Sequence, residues 1–181
     1  EQGAFVAVMD FCLQELANHI HGSEVTSGGN RLTAAGKHEI PQICAPGCHD
    51  LVDLICWQDI PDKWKNHPYH AHNRLISSIV LNPEEREQVA EGFMQQLSKA
   101  SSETHMILPS GGCGEWDRPD GGLCDPVGLE TFMRACKKNC PSNVMLHVLN
   151  CHINDLEFSN KALEVLDDMV ERKIVVKGFN K

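Results

Sequence analysis

Short apolar runs recur along this chain, and stretches with helical spacing fill most of the gaps between them. That alternation is its strongest constraint. The runs are Phe5 to Val8, Ile43 to Ala45, His105 to Leu108 and Val144 to Leu149. Each has the length of a strand buried on both faces. Asn82-Pro83-Glu84-Glu85 predicts a helix start, with a cap, a proline in the first turn and acids near the positive end. Val89, Phe93 and Leu97 then share one face. Asp125-Pro126 predicts a second helix, with Leu129, Phe132, Met133 and Cys136 inward. A third begins near Asp155, carries Phe158, Ala162, Val165 and Met169 on one stripe, and runs out around Arg172-Lys173. Strands that alternate with helices build a parallel sheet covered on both faces. The expected fold is therefore α/β, a Rossmann-like three-layer sandwich. The segment from Asp59 to Leu81 carries Trp64, Pro68 and several histidines, and its run Leu75 to Leu81 reads as strand or helix.

With 181 residues the chain is long enough for one α/β domain spanning 1–181, which buries roughly 70% of its unfolded surface. It opens at Glu1-Gln2, not at Met, and reads as a piece cut from a longer protein. The net charge of −9 argues against direct nucleic-acid binding, where Lys and Arg must neutralise phosphates. No apolar stretch approaches the roughly 20 residues of a membrane helix. The nine cysteines form no Cys-x-x-Cys pair, so neither a zinc ribbon nor a disulfide framework is indicated. Scattered thiols suit a reducing compartment, the cytoplasm.

Ligands of open parallel sheets sit beyond the carboxyl ends of the strands. Polar residues gather there in this sequence. Asp10 follows the first run, and Pro46-Gly47-Cys48-His49-Asp50 the second. Pro109-Ser110-Gly111-Gly112-Cys113-Gly114 follows the third, and Asn150-Cys151-His152-Ile153-Asn154-Asp155 the fourth. The opposite edge is plain connection. Ser27-Gly28-Gly29-Asn30-Arg31 adds a further loop. If Asn30 caps a helix Arg31 to Lys37, the glycines admit a ligand close to free backbone N–H groups, and Arg31 can grip phosphate or carboxylate. The same residues also read as a simple turn. No Gly-Lys-Ser/Thr ends the loop, so it is not a Walker loop. A helix end supplies an anion with about 0.3–2 kcal/mol, whereas micromolar affinity needs about 8 kcal/mol. A nucleotide would therefore need the second glycine loop and a divalent cation as well. His70 and His72 lie two apart, and with His152 and Asp155 they are the candidate metal ligands. Cys113 is a candidate nucleophile without any base tied to it by pattern.

The run 28-GGNRLTAAGKHEIPQICAPGCHD-50, the dipeptide His72-Asn73 and 152-HINDLEF-158 together resemble the ATP-binding domain family of the tomato mosaic virus resistance protein. The likeness extends from Phe5 to about Val170. It implies two Rossmann-like subdomains in tandem, of which this chain is similar to the second, with the preceding subdomain as its partner. It further implies ATP as the ligand, and the acidity of the chain makes Mg²⁺ the candidate for the divalent cation a nucleotide would need. The residues leave self-association open. Ser27, Gly28, Gly29, Asn30, Arg31, Gly47, Asp50, Gly111, Gly112 and Asn154 are the ligand-binding candidates. The competing expectations are a metal-dependent enzyme acting on a small acidic metabolite and an interaction domain without a small ligand.

Overall fold

The computed structural model describes residues 5–26 and 28–176. Four parallel strands form its main sheet: β1 (Val8–Asp10), β2 (Gln42–Cys44), β6 (Thr104–Pro109) and β7 (Val144–Leu149), in the order β1-β2-β6-β7. The register runs Val8↔Gln42, Ile43↔His105 and Met106↔Leu146. Strand order follows chain order, and parallel crossovers are right-handed. The three crossovers therefore fall on one face. They carry α1 (Gln14–Ile20) and α2 (Thr33–Lys37), then α3 (Pro83–Leu97), then α4 (Pro126–Asn139). α5 (Leu156–Glu171) follows the last strand and covers the other face.

Period-two alternation divides the core. Cys44, Met106 and Leu108 point to the crossover face and pack with Leu16, Phe93, Leu97, Phe132 and Cys136. Ile43, Ala45 and Ile107 point the other way, onto Phe158, Ala162, Val165 and Met169 of α5. The α/β sandwich expected from the runs is present, with the helical stripes inward. The first strand lies later than its apolar run, so Asp10 is its last residue and not the start of a loop.

The sequence reading missed α1 and a second sheet. β3 (Leu51–Ile55), β4 (Tyr69–His70) and β5 (Ile76–Val80) form an antiparallel sheet in the order β3-β5-β4. It packs beside α1. Val52, Leu54 and Ile79 join the larger core. Asp53 ties the two together, because its Oδ1 accepts from Gln14 Nε2 at 2.8 Å and from Ser78 Oγ at 2.7 Å. The run at Leu75 to Leu81 is thus a strand over most of its length.

Helix starts follow their caps. Asn82 Oδ1 accepts from Glu85 N, and Glu85 Oε2 accepts from Asn82 N, each at 2.9 Å, which closes a capping box on α3. Asp125 Oδ1 accepts from Gly128 N at 3.0 Å at the start of α4. The expected Asn30 cap is absent. α2 is a five-residue helix whose N-cap is Leu32 in the left-handed region at φ 68°. The carbonyl of Asn30, not its side chain, is used there, accepting from Thr33 Oγ1 at 2.7 Å.

Candidate functional site

The loops that follow the parallel strands are joined to one another by backbone hydrogen bonds. Leu13 N donates to the Gly47 carbonyl at 2.7 Å, and Cys48 N to the Cys113 carbonyl at 2.9 Å. Gly111 N donates to Cys151 O at 2.8 Å, and Ile153 N to Gly112 O at 3.0 Å. Two glycines make this contact feasible. A Cβ on Gly47 would stand 2.0 Å from the Phe11 carbonyl oxygen. Gly112 has φ +129°, and a Cβ there would meet Asp117 at 2.5 Å and His152 at 2.6 Å. The glycines after β2 and β6 therefore serve first to bring loop against loop. Gly47, Asp50, Gly111, Gly112, Asn154 and Asp155 belong to this one rim.

Asp117 and His152 pin its centre. Asp117 Oδ2 accepts from Cys113 N at 2.6 Å and Gly114 N at 3.2 Å. His152 Nδ1 accepts from Asn154 N at 3.1 Å, which leaves Nε2 as the N–H donor to Asp117 Oδ1 at 2.9 Å. Asp155 Oδ2 accepts from His152 N at 2.8 Å. Arg118 Nη2 pairs with Asp155 Oδ1 at 3.3 Å. The carboxyl of Asp155 is held below its ordinary value, by the His152 backbone N–H first and by Arg118 after it. Asn154 Nδ2 donates to Glu115 Oε2 at 2.8 Å.

Beneath the rim lies a buried charged cluster. Arg86 is 2% exposed. Its Nε donates to Leu81 O at 2.9 Å and its Nη2 to Asp125 Oδ2 at 2.9 Å. Arg86 lines a cavity of about 230 Å³ with Ser110, Gly111, Asp117, Cys124 and Asp125. The start of α4 lines this cavity through Asp125 and Pro126, and α3 contributes the Arg86 side chain. Asp50 is buried close by. Burial raises its carboxyl to about 6, against the pull of Arg86, and its Oδ1 has no partner among the described residues. His49 is fully buried against the Phe132 ring at 3.7 Å. Desolvation, and then Arg86, hold its imidazole well below the usual range.

The remaining candidates fall elsewhere. Ser27 lies outside the described residues. A Cβ on Gly29 would stand 2.2 Å from the His19 ring, and Gly29 O accepts from Gln96 Nε2 at 3.0 Å. Those contacts account for the glycine at that turn. Arg31 reaches the rim from this turn by pairing with Asp10 Oδ1 at 2.7 Å. His70 and His72 pack on Trp116, at centroid distances of 4.1 and 5.2 Å. They are brought to the rim loop, but as ring neighbours of Trp116 and not beside His152 and Asp155 as a ligand set. Among the described residues no three His, Cys, Asp or Glu side chains are grouped to hold a metal ion. Cys113 is 1% exposed, and burial raises its thiol well above the ordinary value, which removes it as a nucleophile.

Arg86 and Asp117 were missed by the sequence reading. One signal was available: Arg86, Val89, Phe93 and Leu97 follow helical spacing, so the arginine sits on the buried stripe of α3. No pattern in the sequence marks Asp117.

The match to a family model covers residues 1–170 and is to the C-terminal domain of the Uncharacterised protein family UPF0261. The chain belongs to the UPF0261 family. It is 45% identical over 177 residues to a UPF0261 protein of Brucella melitensis, covering 98% of this chain and 42% of that relative. A UPF0261 protein of Clostridium tetani is 26% identical over 174 residues, 94% of this chain and 42% of the relative. The ToMV resistance protein Tm-1(GCR237) of Solanum lycopersicum is 27% identical over 166 residues, 90% of this chain and 22% of that protein. The chain thus spans less than half the length of these curated UPF0261 relatives. The resemblance read from the three sequence blocks and this membership agree. Among the described residues no helix is long and apolar enough to cross a membrane.

Proposed function

We propose that this domain binds a nucleotide, ATP with Mg²⁺, at the carboxyl ends of its parallel strands. The observation that carries the reading is Arg86. A guanidinium 2% exposed lines a cavity at the end of β6, beside the start of α4. Helix N-termini favour anions, and a buried arginine suits phosphate recognition. The likeness to the tomato resistance proteins, read in sequence as an ATP-binding family, points to the same ligand. Asp50, Asp117 and Asp125 surround that one cation with carboxylates. A polyphosphate entering there needs its own divalent ion, held mainly by the phosphates themselves. All nine cysteines are free, which supports a reducing compartment, the cytoplasm.

Calorimetric titration of the full-length protein with ATP, with and without Mg²⁺, tests the reading. Saturable binding strengthened by Mg²⁺ is expected. Absence of binding at millimolar ATP would remove it.

A further inference from the structure

The cavity beneath the rim is too small for a whole nucleotide. Its volume is about 230 Å³, whereas sites for small organic ligands run from about 300 to 1,000 Å³. It adjoins a second one: Cys124 and Asp125 line it, and the same two residues line a larger cavity of about 500 Å³. Pro68, Val80, Leu81, Pro83 and Leu123 supply apolar wall to the larger space. His67 also lines it. Its Nε2 is held by Glu85 at 2.9 Å and its Nδ1 has no partner among the described residues. The pair of cavities therefore has a small charged end at Arg86 and a larger end with apolar walls.

We propose that the nucleotide spans both spaces, with phosphate at Arg86 and the base in the cavity lined by Leu81, Leu123 and His67. The assignment rests on the nucleotide reading above and gives it a direction. The polarity follows from solvation. A phosphate in the apolar space would lose its hydration with little to replace it, whereas a planar base gains by leaving water. At the small end the guanidinium and the start of α4 replace the lost hydration. A further cavity of about 470 Å³ lies between Leu54, Trp64 and Tyr69. It shares no lining residue with the small charged cavity, so it does not adjoin Arg86.

Two measurements on the full-length protein with MgATP test the placement. Cys124 is exposed at the junction of the two spaces, and Cys12 is exposed beside Arg31 at the end of β1. Alkylation by iodoacetamide, followed peptide by peptide in a mass spectrometer, reports on both. At ATP ten times its Kd, Cys124 should react about tenfold more slowly and Cys12 at its unliganded rate. The second measurement uses Gly122→Trp. Gly122 lines the larger cavity, and a Cβ there meets nothing within 4 Å. The indole can occupy the base space without a backbone clash, so ATP affinity should fall at least about tenfold with the melting temperature unchanged. ATP binding with unprotected Cys124, or with Cys12 protected in its place, overturns the placement and leaves the nucleotide reading intact. Unchanged affinity in a folded Gly122→Trp protein does the same. If calorimetry shows no ATP binding to the parent, the nucleotide reading and this placement fall together.

Discussion

Asp125→Ala should destabilise the domain by about 4 kcal/mol, by two separable losses. Asp125 caps α4 through Gly128 N at 3.0 Å, and losing such a cap costs about 1 kcal/mol. It is also the carboxylate partner of Arg86, at 2.9 Å. Removing one member of a buried pair costs about 3–5 kcal/mol because the other charge stays buried. The low end applies here. A third of the Asp125 side chain meets solvent, and Arg86 keeps its bond to Leu81 O. For a chain of this size, about 2–4 °C of melting temperature accompanies each kcal/mol, so a fall of about 8–16 °C is expected. Asp125→Asn retains an acceptor oxygen and should cost about 1–2 kcal/mol. Urea unfolding with an unchanged slope measures both variants. If Asp125→Ala unfolds within about 1 kcal/mol of the parent, Arg86 does not depend on Asp125, and the charged floor of the cavity has been misread.

Other outcomes are equally open to measurement. Gly47→Ala, whose Cβ would lie 2.0 Å from a backbone oxygen, should cost about 3 kcal/mol or more. Gly122→Ala, with nothing within 4 Å, should be neutral or stabilising by up to about 1 kcal/mol in the same denaturation assay. Burial raises the Asp50 carboxyl to about 6, so between about pH 4 and that value the folded chain holds a proton the unfolded chain has lost. Asp50 therefore contributes a loss of stability as pH rises through this window, and Asp50→Asn should gain on the parent across it in paired urea titrations. The buried His49, held below its usual range, contributes the opposite slope in both proteins and cancels in the difference. Under native conditions Cys12 and Cys124, both exposed, should react rapidly with a thiol reagent. Cys44, Cys113 and Cys136, whose thiols burial raises, should react only on unfolding.

The main sheet was legible because its two central strands, β2 and β6, are buried on both faces and read as short apolar runs, while the edge strand β7 keeps enough apolar residues in Val144 to Leu149 to read the same way. Its helices were legible from caps, Asn82 and Asp125 above all. β3 was hidden because it begins at Leu51, directly after a rim loop dense in polar residues. β4 is two residues long and carries no pattern. The polar residues after the parallel strands do meet in one rim, as their positions in the sequence suggested. What those residues do there was less visible. Gly47 and Gly112 serve loop-to-loop packing, and His152 holds Asp117. The buried cation came from a helix, at Arg86, where only its position on an apolar stripe marked it. At Asn30, propensity suggested a cap, but the chain starts its short helix two residues later, through Leu32 in the left-handed region.

Strand order that follows chain order also has a consequence for biogenesis. Each parallel strand docks beside the one made before it, so the sheet can grow along a single advancing edge as the polypeptide leaves the ribosome. The antiparallel sheet between β2 and β6 pairs only with itself and can form locally while the next parallel strand is awaited. β7 arrives last. Its following loop brings His152, whose Nε2 secures Asp117, and Ile153, whose N–H closes on Gly112. Until that loop docks, the rim lacks its final bonds. A nascent chain halted before residue 150 would therefore own most of its larger core and still have no finished rim.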